Sequence, residues 1–136
     1  MKNSSTRLFA ALAAAAALSV TALGAQAATL KIKCEKRSDR SKASVDVSAL
    51  GCYYCGGQPG DWYTTVLTSG GNSAQSAAKQ EVLNEVEFDF DSNPRNIRQG
   101  ATAISKGFIV DGTVTATLLD ASGATVTSAT ATCRVR

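Results

Sequence analysis

The chain has 136 residues, 44% of them apolar, with four cysteines, no histidine and a formal charge of +3. The lack of histidine removes the usual general base, the commonest transition-metal ligand and every Ser-His or Cys-His nucleophile pair, which argues against an enzyme. Two of the 14 basic residues, Lys2 and Arg7, fall in an N-terminal leader, so the remainder sets 12 basic against 11 acidic groups, a balance that gives no case for nucleic-acid binding.

The leader comes first in chain order. Lys2 and Arg7 make a positive start, residues 8–23 are a short alanine-rich apolar run, and Ala25-Gln26-Ala27 matches an A-x-A cleavage site. The run is too short and too weakly apolar for a membrane span. The expectation is a signal peptide over residues 1–27 and one mature domain over residues 28–136, soluble in the periplasm or outside the cell. The alternative is a retained N-terminal helix. No cysteine stands at the cleavage point, so the lipoprotein pattern is missing. No other stretch is long and apolar enough to cross a membrane.

Past the leader the hydrophobic pattern has period two. Leu30, Ile32 and Cys34 alternate with lysines. Val45, Val47 and Ala49 share one face of the next run, and Trp62–Ser69 reads as a third strand. Residues 76–83 have some helical propensity, but their setting predicts a strand. In the run over residues 85–91, Val86, Phe88 and Phe90 are expected inward and Glu85, Glu87, Asp89 and Asp91 outward. Residues 92–105 read as a long loop with room for one short helical turn. Residues 108–120 form one run with Val114, Ala116 and Leu118 in phase. Residues 125–136 form the last, with Thr127, Ala129, Ala131, Cys133 and Val135 on its less polar face. Ser69–Ser73 and Asp120–Gly123 carry hairpin signals. About seven strands at this spacing suggest two antiparallel sheets packed as a sandwich.

Leu50, then Pro59-Gly60-Asp61-Trp62-Tyr63, resembles the L-x-P-G-x-Y pattern of bacterial immunoglobulin-like and fibronectin-like modules, and residues 118–126 resemble their last hairpin. The chain is similar overall to small exported bacterial β-sandwich proteins of no assigned activity. The resemblance implies an all-β, immunoglobulin-like sandwich and carries no activity with it. This chain departs from the pattern between Leu50 and Pro59, where it inserts GCYYCGGQ.

Four cysteines in a small exported domain suggest two disulfides. The favoured pairing is Cys34 with Cys133 and Cys52 with Cys55. Cys34 and Cys133 lie late in the first and last strands, which come level if those strands run parallel, as they often do in immunoglobulin-like sandwiches. A crossed pairing of Cys34 or Cys133 with the insertion stays open. Cys52-Tyr53-Tyr54-Cys55 has C-x-x-C spacing, but the glycines and Pro59 after it cannot continue the helix that would activate a redox thiol. One such pair without histidine falls short of a zinc site. A small disulfide ring that shapes a loop is the favoured reading; a periplasmic thiol-redox or metal-handling protein using Cys52 and Cys55 is the alternative.

Tyrosines on a stiffened, glycine-rich loop suit a contact surface, since they offer large area at low entropy cost. Tyr53, Tyr54, Trp62 and Tyr63 are therefore the candidate binding residues, toward a protein or a glycan. The plainer reading packs Trp62 over the core and lays the tyrosines across the open end. Asp89-Phe90-Asp91-Ser92-Asn93 opens like a calcium loop, but Pro94 and Gly100 stand where glycine and a bidentate glutamate are required. No metal and no cofactor is expected. Six basic and two acidic residues lie within 31–42, and five acidic residues within 81–91. These are either solvated strand surfaces or an electrostatic docking surface.

Overall fold

The computed structural model describes residues 28–51 and 60–136; the leader and the insertion's Cys52–Pro59 lie outside the described residues. Among the described residues, ten strands form two sheets. The first has the order β10-β1-β2-β6-β7: β1 (Thr29–Arg37), β2 (Arg40–Ser48), β6 (Val86–Asp91), and the two-residue strands β7 (Thr102–Ala103) and β10 (Arg134–Val135). The second has the order β4-β3-β8-β9: β3 (Trp62–Ser69), β4 (Asn72–Gln75), β8 (Thr113–Leu119) and β9 (Thr125–Thr132), with β5 (Lys79–Gln80) also on β3. The fold is all-β. Its two outermost pairings in the first sheet, β1–β10 and β6–β7, are parallel.

Alternation decides what is inside. Ala43, Val45 and Val47 of β2 and Val86, Phe88 and Phe90 of β6 face Tyr63 and Leu67 of β3 and Val114, Ala116 and Leu118 of β8 in one core. Phe88 and Phe90 are fully buried, as their spacing predicts. Leu30, Ile32 and Cys34 pack against that core from β1 while remaining partly exposed. Ala49 does not continue the β2 face: it has φ +60, outside the strand, and Leu50 takes the buried position instead.

Turns set the registers. Ser69 pairs with Asn72 around Gly70-Gly71. Gly70 has φ +55, a conformation that favours glycine, and a Cβ there would come within 3.1 Å of the Val110 side chain, a tight contact that adds to the strain. Asp120 closes the β8–β9 hairpin by accepting from the backbone N–H groups of Ser122 (2.9 Å) and Ala124 (3.0 Å). The run over residues 108–120 is broken where a single strand is expected. Asp111 and Gly112 both have positive φ and form a tight turn bridged by Val110 and Thr113, leaving Phe108 and Ile109 buried ahead of β8.

Residues 92–105 hold α1 (Pro94–Arg98), capped by the Asn93 side chain, which accepts from the Arg95 N–H. One expectation fails here: Asp91 does not point to solvent. It is 1% exposed, and its carboxylate accepts from Arg40 Nε (3.1 Å) and Nη2 (2.6 Å), Asn96 Nδ2 (2.7 Å) and the Asn93 N–H (2.8 Å). Four donors replace the water that the charge gives up, and they tie β2, β6 and α1 at one corner.

The last run is also split. Cys133 follows the end of β9 at Thr132, and the chain then crosses to the other sheet as β10, parallel to β1 with Glu35 opposite Arg134. The crossing explains why Cys133 is buried while Val135, expected on the same face, is 67% exposed. Cys133 is bonded to Cys34 with 4.6 Å between their Cα atoms. The bridge rules out a crossed pairing with the insertion and leaves Cys52 and Cys55 only each other within the chain.

The bridge joins residues 99 apart, and a loop of that size corresponds to about 4.7 kcal/mol in the chain-entropy account. The double variant Cys34→Ser/Cys133→Ser is expected to lose roughly 2–5 kcal/mol in urea unfolding. Unchanged unfolding would show that the bridge adds nothing to the fold.

Candidate functional site

The site is the end of the fold where the insertion leaves and re-enters. Its first anchor is Leu50, buried, whose N–H donates to Asn84 O at 3.1 Å. The second is Gly60, whose carbonyl accepts from Gln80 Nε2 at 2.8 Å, followed by Asp61, whose carbonyl accepts from the Glu81 N–H at 2.9 Å. Both anchors thus hang on the segment 80–84. Its residues up to Leu83 belong to the run 76–83, for which the sequence predicts a strand. It forms only β5 and then a tight reversal, with Leu83 and Asn84 at positive φ and Val82 bridged to Glu85.

The ladder between β3 and β5 orients the aromatics. Trp62 lies opposite Gln80 and Tyr63 opposite Lys79. Tyr63 points inward and is buried; Trp62 points outward and is 50% exposed. The plainer reading, with Trp62 over the core, is corrected: alternation gives the core position to Tyr63. Extending the same register puts Val82 diagonal to Trp62 on the outer face. Val82 is 60% exposed and Leu83 62%. Three large apolar side chains therefore stand in solvent here, Trp62 on β3 and Val82 and Leu83 in the reversal after β5. Tyr53, Tyr54, Cys52 and Cys55 lie outside the described residues.

Beside Trp62 runs a groove of about 290 Å³ lined also by Gln75, Ala78, Leu119 and Asp120. It is open and smaller than the usual small-molecule pocket, which suits an extended surface more than a buried ligand.

Glu81 lies on the inner face next to Tyr63. It is 3% exposed; Oε1 accepts from the Asp61 N–H at 3.3 Å, and Oε2 has no partner among the described residues. Burial pushes its pKa up, the Asp61 N–H draws it back, and the Asp61 carboxylate raises it again. Tyr63 is raised as well, by burial and then by the charges of Glu81 and Asp61. Sequence reasoning missed Glu81. It sat in a run read as an exposed acidic stretch, and no periodic signal marks where β5 stops.

Part of each charge run falls on one surface. Lys31, Asp46 and Glu87 lie level across β1, β2 and β6, as do Lys33, Ser44 and Asp89. The outer face of the first sheet therefore grades from basic to acidic over three strands. A depression of about 580 Å³ on it is lined by Lys33, Glu35, Lys42, Glu87, Asp89 and Arg134. Asp89 and Asp91 do not act together as a calcium loop would need, because Asp91 is committed to Arg40 and Asn96. Among the described residues no group of three or more acidic or cysteine side chains is placed to hold a metal, and no helix is long and apolar enough to cross a membrane.

Comparisons of the chain with protein-family models, with curated proteins and with solved structures return no match in any of the three.

The two buried carboxylates predict opposite pH behaviour. Burial alone would raise Asp91, but Arg40, Asn96 and the Asn93 N–H hold it at about 2 against an ordinary 3.8. It therefore stabilises the fold above its unfolded value, and roughly 2 kcal/mol is lost as pH falls from there toward 2. Glu81 is raised, so its contribution is present below the ordinary glutamate range and is lost as pH rises through its folded value. Urea unfolding across pH should show Asp91→Asn destabilised at neutral pH and converging on the parent in acid. Glu81→Gln should gain stability at neutral pH and lose that gain in acid; a gain independent of pH would refute the assignment for Glu81.

Proposed function

We propose that the chain is an exported, disulfide-closed, immunoglobulin-like β-domain that works without catalysis, as an interaction or structural module of the cell envelope or extracellular space. The contact surface is the end built from Trp62, Val82 and Leu83 around the insertion with Tyr53 and Tyr54, and the partner is a protein surface or a glycan. One observation carries this reading: the tryptophan that the core does not use stands half in solvent on β3, which pairs with β5, Val82 and Leu83 just past β5 are exposed as well, and the chain on the other side of Trp62 is an insertion holding two further aromatics. Tryptophan and tyrosine are the residues most often found at the centres of contact surfaces. Exposed apolar side chains that gather into one large patch often mark a contact surface.

The export part of the proposal is supported by the leader pattern and by the Cys34–Cys133 bridge, which suits an oxidising compartment. The immunoglobulin-like part is supported by two facing sheets and by a last strand that runs parallel to the first.

Retention of the labelled protein on a cell-envelope fraction of the producing organism tests the surface. Trp62→Ala combined with Tyr53→Ala and Tyr54→Ala should lower retention at least about tenfold, with a change in Tm of no more than a few degrees. Unchanged retention, or a large fall in Tm, would remove the proposed contact role from these residues.

A further inference from the structure

The fold sorts the charges of the domain by end. One end gathers the β1–β2 turn, α1, the loop past β7 and β10. Contacts between these parts show that they meet: Lys36 donates Nζ to Ile109 O, Ser41 Oγ donates to Lys106 O at 2.6 Å, and the Arg136 N–H donates to Lys36 O at 2.9 Å. Residues 35–40, 91–111 and 134–136 at this end carry eight basic and four acidic groups. The opposite end, where the insertion is anchored, takes residues 28–31, 46–51, 60–63, 79–87 and 118–125, with two basic and six acidic groups. Residues 52–59 carry no charge. A domain close to neutral as a whole is therefore strongly polar from end to end.

The acids at the basic end do not cancel its charge. Asp91 takes Arg40, and Glu35 is shared by Arg37 and Arg136, the latter at 3.9 Å. Arg95, Arg98, Lys106 and Arg134 are exposed and form no ion pair among the described residues, against Asp39 and Asp111 alone. These cations are spread over α1, the following loop and β10 and do not converge on one cavity. Two apolar side chains stand among them. Val110 is bridged to Thr113 around the Asp111-Gly112 turn, and a Cβ on Gly112 would lie 3.7 Å from the Val135 side chain, so the two valines flank that turn. Both are exposed.

We propose that this end docks on the surface of a bilayer that contains anionic phospholipid. Charge spread over a whole end, without a pocket, fits an extended array of headgroups, and guanidinium groups bind phosphate well. Val110 and Val135 have something to enter at a lipid interface, which a soluble polyanion does not offer. The acidic end is repelled by the same surface, so the field of the chain turns the basic end toward the bilayer and the insertion away from it. A second copy meeting the basic end with its acidic end is the rival occupant. It is disfavoured because Glu81 is buried and the Asp120 carboxylate is held by its own hairpin, so neither is free to pair.

Flotation of the purified protein with vesicles tests the docking. It should bind vesicles of phosphatidylcholine mixed with phosphatidylglycerol at least about tenfold more than vesicles of phosphatidylcholine alone, and raised salt should remove the difference. Arg95→Gln combined with Arg98→Gln should lower binding to the anionic vesicles roughly tenfold or more at unchanged Tm. Lys31→Gln combined with Lys33→Gln removes the same charge away from the basic end and should change binding by less than about twofold. Val135→Ser should weaken vesicle binding and leave retention on immobilised heparin, a polyanion without an apolar layer, as it was. Equal binding to both kinds of vesicle, or an equal loss from the lysine pair, would overturn the proposal. Val135→Ser without effect on the vesicles would point instead to a polyanionic polymer, and self-association in place of vesicle binding to a second copy; either result overturns it too. Trp62→Ala should leave vesicle binding unchanged, and a loss there would move the contact to the aromatic end. Envelope retention measured at raised salt, where this contact is screened, reports the aromatic end alone, so the two surfaces can fail separately.

Discussion

The fold depends on the crossing at Cys133. A chain that ended in the second sheet would leave β1 with one neighbour and the two sheets joined on that side by side-chain packing alone. Instead β9 gives up its ladder after Thr132, the Cys133 N–H donates to Gly112 O at 2.6 Å, and the chain continues beside β1. The disulfide sits at the crossing itself. It fixes the one place where the strand has left one sheet and has formed only two pairings in the other. Lys36 supports the same corner from β1 by donating its Nζ to the Ile109 carbonyl, in the segment just before the Asp111-Gly112 turn.

A second corner, at Asp91, works by a different force. Here three polypeptide segments meet around a buried charge that has taken enough donors to remain ionised. Removing any one donor would leave the carboxylate under-solvated, which costs more than the bond itself is worth. Between these corners the interior is ordinary alternating packing. The covalent corner is indifferent to pH and the ionic one is not, so acid loosens the fold first where β2, β6 and α1 meet.

Much of this was legible from spacing. Val86, Phe88 and Phe90 read correctly because a strand buried on one face writes its burial into every second residue. The β8–β9 hairpin read correctly because Asp120 and Gly123 suit only a few backbone conformations. The bridge between Cys34 and Cys133 read correctly because parallel first and last strands bring their late residues level. The failures share a cause as well. Period-two reasoning assigned Asp91 outward as one more acidic residue, since nothing local announces that Arg40, fifty-one positions earlier, will meet it. It left Trp62 over the core by size and chemistry, although phase with Leu67 already favoured Tyr63 for the inward place. It ran one strand through Asp111-Gly112 and another through Cys133, where the composition stays β-like while the chain turns or changes sheet. Glu81 was hidden in the same way, its burial set by Tyr63 and Asp61 on a neighbouring strand.

The parallel pairing of β1 with β10 also determines how the domain would carry tension. Because the two strands run the same way, residue 28 emerges at one pole and Arg136 at the other, so a pull between them loads the pair lengthwise, in shear. The load passes from β1 into Cys34, across the sulfur–sulfur bond, and out through Cys133 to the C-terminus. Residues 35 to 132, with almost the whole core, hang off that line as a covalently closed loop and cannot be drawn out while the bond holds. Only the short stretches outside the two cysteines can lengthen. Fixed at its two ends, the domain would behave as a nearly inextensible link, and reducing that single bond would turn it into a compliant one.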